Sequence, residues 1–225
     1  MVQVEKQRIL SDRAKRAVID VGQRIGRLQT PMTQLLRSLE VYEALPTPLT
    51  ALELFGMHGL WHTRDYVGRC SALDLYELNS AYAEYAARTL PRTRVMEADS
   101  IEAVNTGAVP RPAYNFIVID NPVEGTFGPG YVEHFDLFPQ VLAIMDDPGV
   151  LVLNYVHPDV DFDDDHAEGR QRFYGSVRPS VDEAAEVYRA HARDAGLRVR
   201  RHLYTYRNET MGYLALICER SRVRR

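Results

Sequence analysis

Residues 49–59, LTALELFGMHG, decide the fold of this chain. The apolar run at 49–55 is too short for a typical helix and suits a buried strand. Gly56 and Gly59 follow at once and allow the backbone to turn tightly. A buried strand that ends in a glycine turn indicates an α/β domain. The turn itself is either a plain connection or a place where the backbone approaches a ligand.

The same pattern repeats along the chain. Further apolar runs lie at 70–76, 93–99, 114–120 and 149–156, and helical patterns lie near 79–89, 100–105, 131–146 and 180–195. This alternation predicts a parallel sheet with helices on both faces. Residues 197–207 and 211–220 instead predict two strands joined by Asn208-Glu209-Thr210. We therefore expect a three-layer, Rossmann-like α/β fold with a seven-stranded sheet, mostly parallel and closed by a C-terminal antiparallel hairpin.

Two helices are predicted before the first strand. The first covers 4–29 and has a basic outer face, and its inner face is predicted to carry Ile9, Ala14, Val18, Val21 and Ile25. The second begins at Pro31. We expect residues 1–48 to form a helical extension or lid, with the α/β domain at 49–225. The extension also favours a homodimer formed through the N-terminal helices.

Composition excludes several kinds of chemistry. Among 27 basic residues only Lys6 and Lys15 are lysines, both in the predicted N-terminal helix. A phosphate loop of the GxxxxGK type and Schiff-base catalysis both need a lysine in the folded site, so both are excluded. The net charge of −4 excludes a uniformly basic nucleic-acid-binding surface.

Nothing in the sequence predicts a membrane segment or a disulfide framework. No apolar run reaches the roughly 18 residues that span a bilayer, and Cys70 and Cys218 are the two cysteines. We expect a cytoplasmic protein without membrane contact. The acidic run at 157–166 lacks the glycine and the closing glutamate of a calcium loop, and His58 and His62 lie in a turn, so no metal site is predicted.

Acidic residues are predicted at the carboxyl ends of four strands, where ligands bind in open α/β sheets. They are Glu53, Asp74, Asp99 and Asp120. An acid at the end of the second strand can accept both hydroxyls of a ribose, and Leu75 and Tyr76 could cover an adenine ring. Asp99 and Ser100 could bind the adenine edge, or Asp99 could cap the next helix. Together the four acids indicate a nucleoside-binding crevice.

These features resemble the class I S-adenosylmethionine-dependent methyltransferases, a family with this seven-stranded sheet. The resemblance implies S-adenosylmethionine as cofactor, and Glu53-Leu-Phe55-Gly56-Met-His58-Gly59 is similar to the family's glycine-rich first motif. It also implies that Asp74 and Leu75 lie at the ribose and adenine, Asp99 and Ser100 at the adenine, and Asp120 at the reaction centre. Met57 and His58 depart from the motif, which is richer in glycine.

Methyl transfer relies mainly on positioning of the acceptor, and we predict Asp120 and Asn121 as its catalytic residues. A small-molecule substrate is favoured. Asp120-Asn121-Pro122-Val123 partly resembles the tetrapeptide of methyltransferases that modify amino groups of nucleic-acid bases, so a nucleic-acid substrate stays an alternative.

Two further alternatives remain. Residues 114–120, Gly128-Pro129, 134–139 and 148–154 are similar to the spermidine synthase-like aminopropyltransferases, in which Asp120 and Glu124 would hold an amine. A non-catalytic nucleoside-binding relative is the other. Residues 170–175 are predicted as either a substrate loop or a surface crossover, and the basic C-terminal tail as a frayed end.

Overall fold

The computed structural model describes residues 2–25, 28–121 and 133–221. The predicted sites at Pro122, Val123, Glu124 and Gly128-Pro129, and most of the basic tail, lie outside these ranges. Seven strands form a single sheet: β1 (Leu49–Leu54), β2 (Cys70–Glu77), β3 (Thr93–Glu97), β4 (Tyr114–Ile119), β5 (Met145–Val156), β6 (Leu197–Tyr206) and β7 (Met211–Arg220). None of the helices in the described part of the chain is long and apolar enough to cross a bilayer.

The strand order is β3-β2-β1-β4-β5-β7-β6. The pairs among β1 to β5 are parallel, and β7 is antiparallel to both β5 and β6. The predicted mostly parallel sheet with a C-terminal antiparallel hairpin is confirmed. The order reverses between β1 and β4, because the chain proceeds outward to β3 before it returns beside β1.

Eight helices accompany the sheet in the described ranges. They are α1 (Val2–Arg24), α2 (Pro31–Val41), α3 (Thr63–Tyr66), α4 (Ser80–Thr89), α5 (Ser100–Asn105), α6 (Gln140–Ala143), α7 (Asp164–Tyr174) and α8 (Val181–Asp194). The long helix predicted at 131–146 is wrong in its described part, because only a 3-10 turn at Phe135–Leu137 and the short α6 occur there. Residues 170–174, predicted as part of a substrate loop or a surface crossover, lie in α7.

Successive residues of the central strands pack alternately into two separate hydrophobic cores, one on each face of the sheet. Leu52, Ile117 and Leu151 pack in the core beneath α5 to α8. Their strand neighbours Ala51 and Phe116 pack in the core beneath α2 and α4. This follows from the two-residue period of a strand, which sends successive side chains to opposite faces. The strands carry apolar residues on both faces because both faces are covered.

The N-terminal helices differ from the expected pattern. Val18, Val21 and Ile25, predicted on the inner face of α1, are more than half exposed. The buried side instead carries Ile9 and the charged Asp12 and Arg16. α2 buries Met32, Leu35, Leu36 and Leu39 in the core of the sheet. The division of the chain at residue 48 stays a prediction.

A polar contact explains the inverted orientation of α1. The Arg16 guanidinium donates to the Trp61 carbonyl at 2.9 Å and to Asp65 at 2.8 Å. Such charge-assisted hydrogen bonds are stronger than those between neutral groups. They orient the helix with its polar side inward, although apolar periodicity alone favours the opposite face.

Candidate active site

The turn after β1 has an unusual backbone. Phe55, Met57 and Gly59 have φ values of 65°, 47° and 66°, in the left-handed region that favours glycine. A side chain on Gly56 would place its Cβ 2.4 Å from Cγ of Leu75. The turn therefore lies tightly against β2, and two non-glycine residues are held in a strained conformation. Such strain clusters at functional sites.

A pocket that is partly open to solvent lies beyond the carboxyl ends of β1 and β4. It is at the reversal of strand order, the position at which open α/β sheets bind ligands. Its lining residues are Gly56, Met57, Gly59, Trp61, His62, Thr63, Asp120 and Arg207. The structure thus brings the glycine turn and Asp120 together, as the sequence predicted.

Four charged residues pack beneath and beside this pocket: Glu53, His62, Asp120 and Arg207, which we call the charged cluster. Glu53 is fully buried, and its carboxylate accepts hydrogen bonds from Thr63 at 2.7 Å and from Tyr66. The two ring nitrogens of His62 lie 2.6 Å from Glu53 and 2.8 Å from Asp120. Neither N–H direction points well at its carboxylate, so these contacts are ion pairs rather than good hydrogen bonds.

Asp120 directly follows β4 and is satisfied by protein donors. Nη1 of Arg207 donates to its two oxygens at 2.6 and 2.9 Å, and the Tyr213 hydroxyl donates at 2.9 Å. Burial alone would raise the pKa of Asp120, but the charges of His62 and Arg207 outweigh it and hold that pKa well below its usual range. Asp120 is therefore ionised at neutral pH and is a weak base.

The same interactions fix the charge of His62. Burial alone would lower the pKa of its imidazole, but the carboxylates of Glu53 and Asp120 raise it to about 10. His62 is thus an imidazolium at neutral pH, and the charged cluster carries two positive and two negative charges. The sequence argument missed His62 and Arg207. The i, i+4 spacing of His58 and His62 was visible, but no local pattern pairs Arg207 with Asp120.

Asp74 does not lie at the end of its strand. The expectation that the second strand ends there is wrong, because β2 continues to Glu77. Asp74 is fully buried, where it accepts from the Tyr114 hydroxyl at 2.9 Å and pairs with Arg111 at 2.8 Å. The acid at the carboxyl end of β2 is Glu77, which also accepts from the Asn79 N–H at 2.7 Å.

Asp99 is the N-cap of α5. Its side chain accepts from the N–H groups of Ile101 at 2.8 Å and Glu102 at 3.3 Å, so the capping alternative is confirmed. The third strand ends at Glu97, two residues before Asp99. Asp99 is exposed and Ser100 is buried.

Several predicted cofactor residues face away from the pocket. His58 is fully buried and forms an ion pair with Asp12 of α1 at 2.9 Å. Burial lowers its pKa, and Asp12 opposes that effect. Leu75 belongs to the hydrophobic core, and Phe55 packs against the opposite core.

Asn121 is held by its neighbours on the far side of Asp120. Its side-chain amide donates to the Glu133 carbonyl at 3.2 Å, and its own carbonyl accepts from Asn154 at 3.2 Å. The Glu133 carboxylate in turn accepts from His166 at 3.0 Å and from the fully buried Arg170 at 2.8 Å. Arg170 therefore belongs to helix α7 and forms a buried ion pair with Glu133. The predicted substrate loop at 170–175 is wrong.

Within the described ranges, no group of three or more His, Cys, Asp or Glu side chains is arranged so that it could hold a metal ion. The acidic run contributes a helix cap instead, because Asp163 accepts from the His166 N–H at the start of α7.

The fold is that of the class I S-adenosylmethionine-dependent methyltransferases. A methyltransferase from Aquifex aeolicus superposes with a TM-score of 0.52 at 12% identity, over 84% of this chain and 89% of that one. TYW2 of M. jannaschii, solved with AdoMet, gives 0.53 at 9% identity, over 83% and 76%. The N-methyltransferase NodS of Bradyrhizobium japonicum gives 0.51 at 14% identity, over 84% and 94%.

No protein-family model and no curated protein sequence matches the chain. At 9–14% identity the structural likeness shows the fold. The fold alone does not define the activity, the cofactor or the substrate of this protein.

Proposed function

We propose that the protein is an S-adenosylmethionine-dependent methyltransferase that acts on a small molecule. The observation that carries the proposal is the pocket at the reversal of strand order, bounded by the left-handed turn at 55–59 and by Asp120. When bound, S-adenosylmethionine supplies an electrophilic methyl group. The protein then has to hold the acceptor in line with that group and exclude water.

The residues present fit such a cofactor. The turn places the backbone of Gly56 and Gly59 at the pocket wall, beside the side chain of Met57. Glu77 ends β2 one strand away, so we assign to it the hydroxyl-binding role that the sequence suggested for Asp74. Burial raises the pKa of Glu77, and the N–H groups of Asn79, Met57 and Leu78 oppose that rise. Asp99 and Ser100 stay candidates for the adenine end.

Asp120 and Asn121 stay the proposed reaction-centre residues, with a narrower role. The Asp120 carboxylate is ionised and has three protein partners, so it positions Arg207 and His62 rather than accepting a proton. The net charge of −4 provides no uniformly basic surface for a nucleic acid, which favours a small acceptor. A nucleic-acid substrate stays the alternative, and the aminopropyl donor is a further one.

Calorimetric titration with S-adenosylmethionine and S-adenosylhomocysteine tests the proposal. Wild type should bind both nucleosides. Glu77→Gln should weaken binding about tenfold, because hydrogen bonds to a charged group contribute about 1.5–3 kcal/mol. The matched control is Glu97→Gln, which changes the exposed acid at the end of the next strand. If wild type binds neither nucleoside, the methyltransferase proposal is overturned.

We also propose that the protein forms a homodimer through α1. Leu10, Val18 and Val21 are 57–68% exposed along this helix, and Ile25 directly after it is 60% exposed. An exposed apolar stripe of this kind marks an interaction surface. Light scattering should give a dimer mass for wild type and a monomer mass for Val18→Asp with Val21→Asp. A monomeric wild type at high concentration contradicts the proposal.

A further inference from the structure

Arg207 presents unused hydrogen-bond donors at the pocket. Its Nη1 contacts both oxygens of Asp120, and its guanidinium lies 5.3 Å from the ring centroid of Tyr213. Within the described ranges, Nε and Nη2 have no protein acceptor. The side chain is 30% exposed and lines the pocket. A fixed guanidinium with free donors is suited to a carboxylate, whose two oxygens match its geometry.

Asp120, by contrast, has little capacity left for a substrate. Arg207, His62 and Tyr213 contact its carboxylate at distances between 2.6 and 2.9 Å. An amine substrate would have to displace one of these donors, and it would then lie beside the Arg207 guanidinium. Like charges at such close range in a buried site are unfavourable. The geometry therefore disfavours a cationic acceptor.

The charge balance of the pocket points the same way. Glu53 and Asp120 are balanced by His62 and Arg207, so the charged cluster is neutral before any ligand binds. A sulfonium donor adds one positive charge to this site. A monoanionic acceptor restores neutrality, whereas a cationic acceptor leaves two uncompensated charges. Buried charge without compensation is unfavourable.

We propose that the methyl acceptor is a small monocarboxylate that pairs with Arg207 and is methylated on its carboxylate oxygen. This inference rests on the proposed methyltransferase function. One carboxylate oxygen accepts from Arg207, and a lone pair of the other forms the bond to the methyl carbon. The carbon–sulfur bond breaks, and its electron pair stays on sulfur. The products are a neutral ester and a neutral thioether.

No proton moves in this step, so no general base is required. That matches the site, because Asp120 is a weak base and His62 is already protonated. An alcohol or ammonium acceptor would have to lose a proton, and neither of these two pocket residues is suited to take it.

Calorimetry with benzoate and its neutral counterpart benzamide tests the proposal. Each is titrated into wild type, Arg207→Gln, Arg207→Lys and Arg200→Gln, with and without saturating S-adenosylhomocysteine. Wild type should prefer benzoate by about tenfold, the effect of one charge-assisted pair. Arg207→Gln should lose the preference, and Arg207→Lys should keep part of it. Arg200→Gln should match wild type, since it removes an exposed arginine of β6, the strand that ends just before Arg207.

The two proposals fail in different ways. If S-adenosylhomocysteine does not bind, the methyltransferase proposal fails, while the benzoate preference is still measured without it. Equal binding of benzoate and benzamide to wild type, or binding of neither, overturns the carboxylate proposal. It is also overturned if Arg207→Gln weakens S-adenosylhomocysteine but not 5′-methylthioadenosine, which lacks the amino-acid carboxylate. Arg207 would then bind the cofactor. The wild-type comparison holds even if Arg207→Gln does not fold.

Discussion

Replacing His62 with glutamine should remove a part of the folding stability that depends on pH. In the folded protein the carboxylates of Glu53 and Asp120 overcome the effect of burial and raise the pKa of His62 to about 10. In the unfolded chain the same imidazole titrates near 6.5. Between these values the folded protein holds a proton that the unfolded chain has lost.

The sign follows from this difference. A group whose pKa is raised by folding contributes its full stability below the unfolded pKa, and that contribution is lost as the pH rises through the folded pKa. Each pKa unit corresponds to about 1.4 kcal/mol, so the contribution of His62 is at most about 5 kcal/mol. Within the window the free energy of unfolding should fall by about 1.4 kcal/mol per pH unit because of this one proton.

Guanidinium unfolding of wild type and His62→Gln measures the effect between about pH 7.5 and 9.5. The stability of wild type relative to the variant should decline across this range by about 1.4 kcal/mol per unit. Taking the difference removes titrations common to both proteins, including those of the cysteines and tyrosines. His202→Gln is the control, because His202 pairs with one exposed carboxylate, that of Asp182.

A difference that stays constant with pH would refute the reasoning, because His62 would then be neutral in the folded protein. Nitrogen NMR of the folded protein near pH 8 gives an independent measurement. Both ring nitrogens of His62 should carry protons.

Three further predictions concern other buried groups. Glu133→Gln should destabilise the protein by about 3–5 kcal/mol in chemical unfolding, because Arg170 loses its buried partner. The control is Glu219→Gln, which removes the more exposed ion pair with Arg198 and should cost less than about 1 kcal/mol. Asp74→Asn should lower the melting temperature but leave S-adenosylhomocysteine affinity within about twofold, since the contacts of Asp74 are internal to the fold. A loss of affinity comparable to that of Glu77→Gln would restore the ribose-binding role to Asp74. Met57→Gly should raise S-adenosylhomocysteine affinity severalfold in calorimetry, because it removes a side chain from the pocket wall; unchanged or weaker binding contradicts this prediction.

The strands and their two-sided burial could be predicted from sequence because they depend on local composition. The runs containing Leu52, Phe116 and Leu151 are apolar on both faces, as strands of a covered parallel sheet must be. The C-terminal hairpin followed from two apolar runs around a short polar turn. The glycine turn at 56–59 and the acid at Asp120 also lay at predictable places, since each directly follows such a run.

Tertiary structure decided the orientation of side chains and the charge of the site. Which face of α1 is buried depends on the partners of Arg16, which lie in a turn some 45 residues away. The periodicity of the helix's own sequence carries no information about those partners. Glu77 rather than Asp74 ends β2, because the strand extends beyond its most apolar part.

The charged cluster is the clearest case. Glu53 and His62 come from one short segment, whereas Asp120 and Arg207 come from distant parts of the chain. The four meet only when β1, β4 and the β6–β7 hairpin assemble into one sheet. The sequence by itself placed Glu53 and Asp120 near the carboxyl ends of β1 and β4. Only the tertiary structure decided that these carboxylates are paired with positive charges. Coulomb interactions depend on separation in space and on burial rather than on position in the sequence.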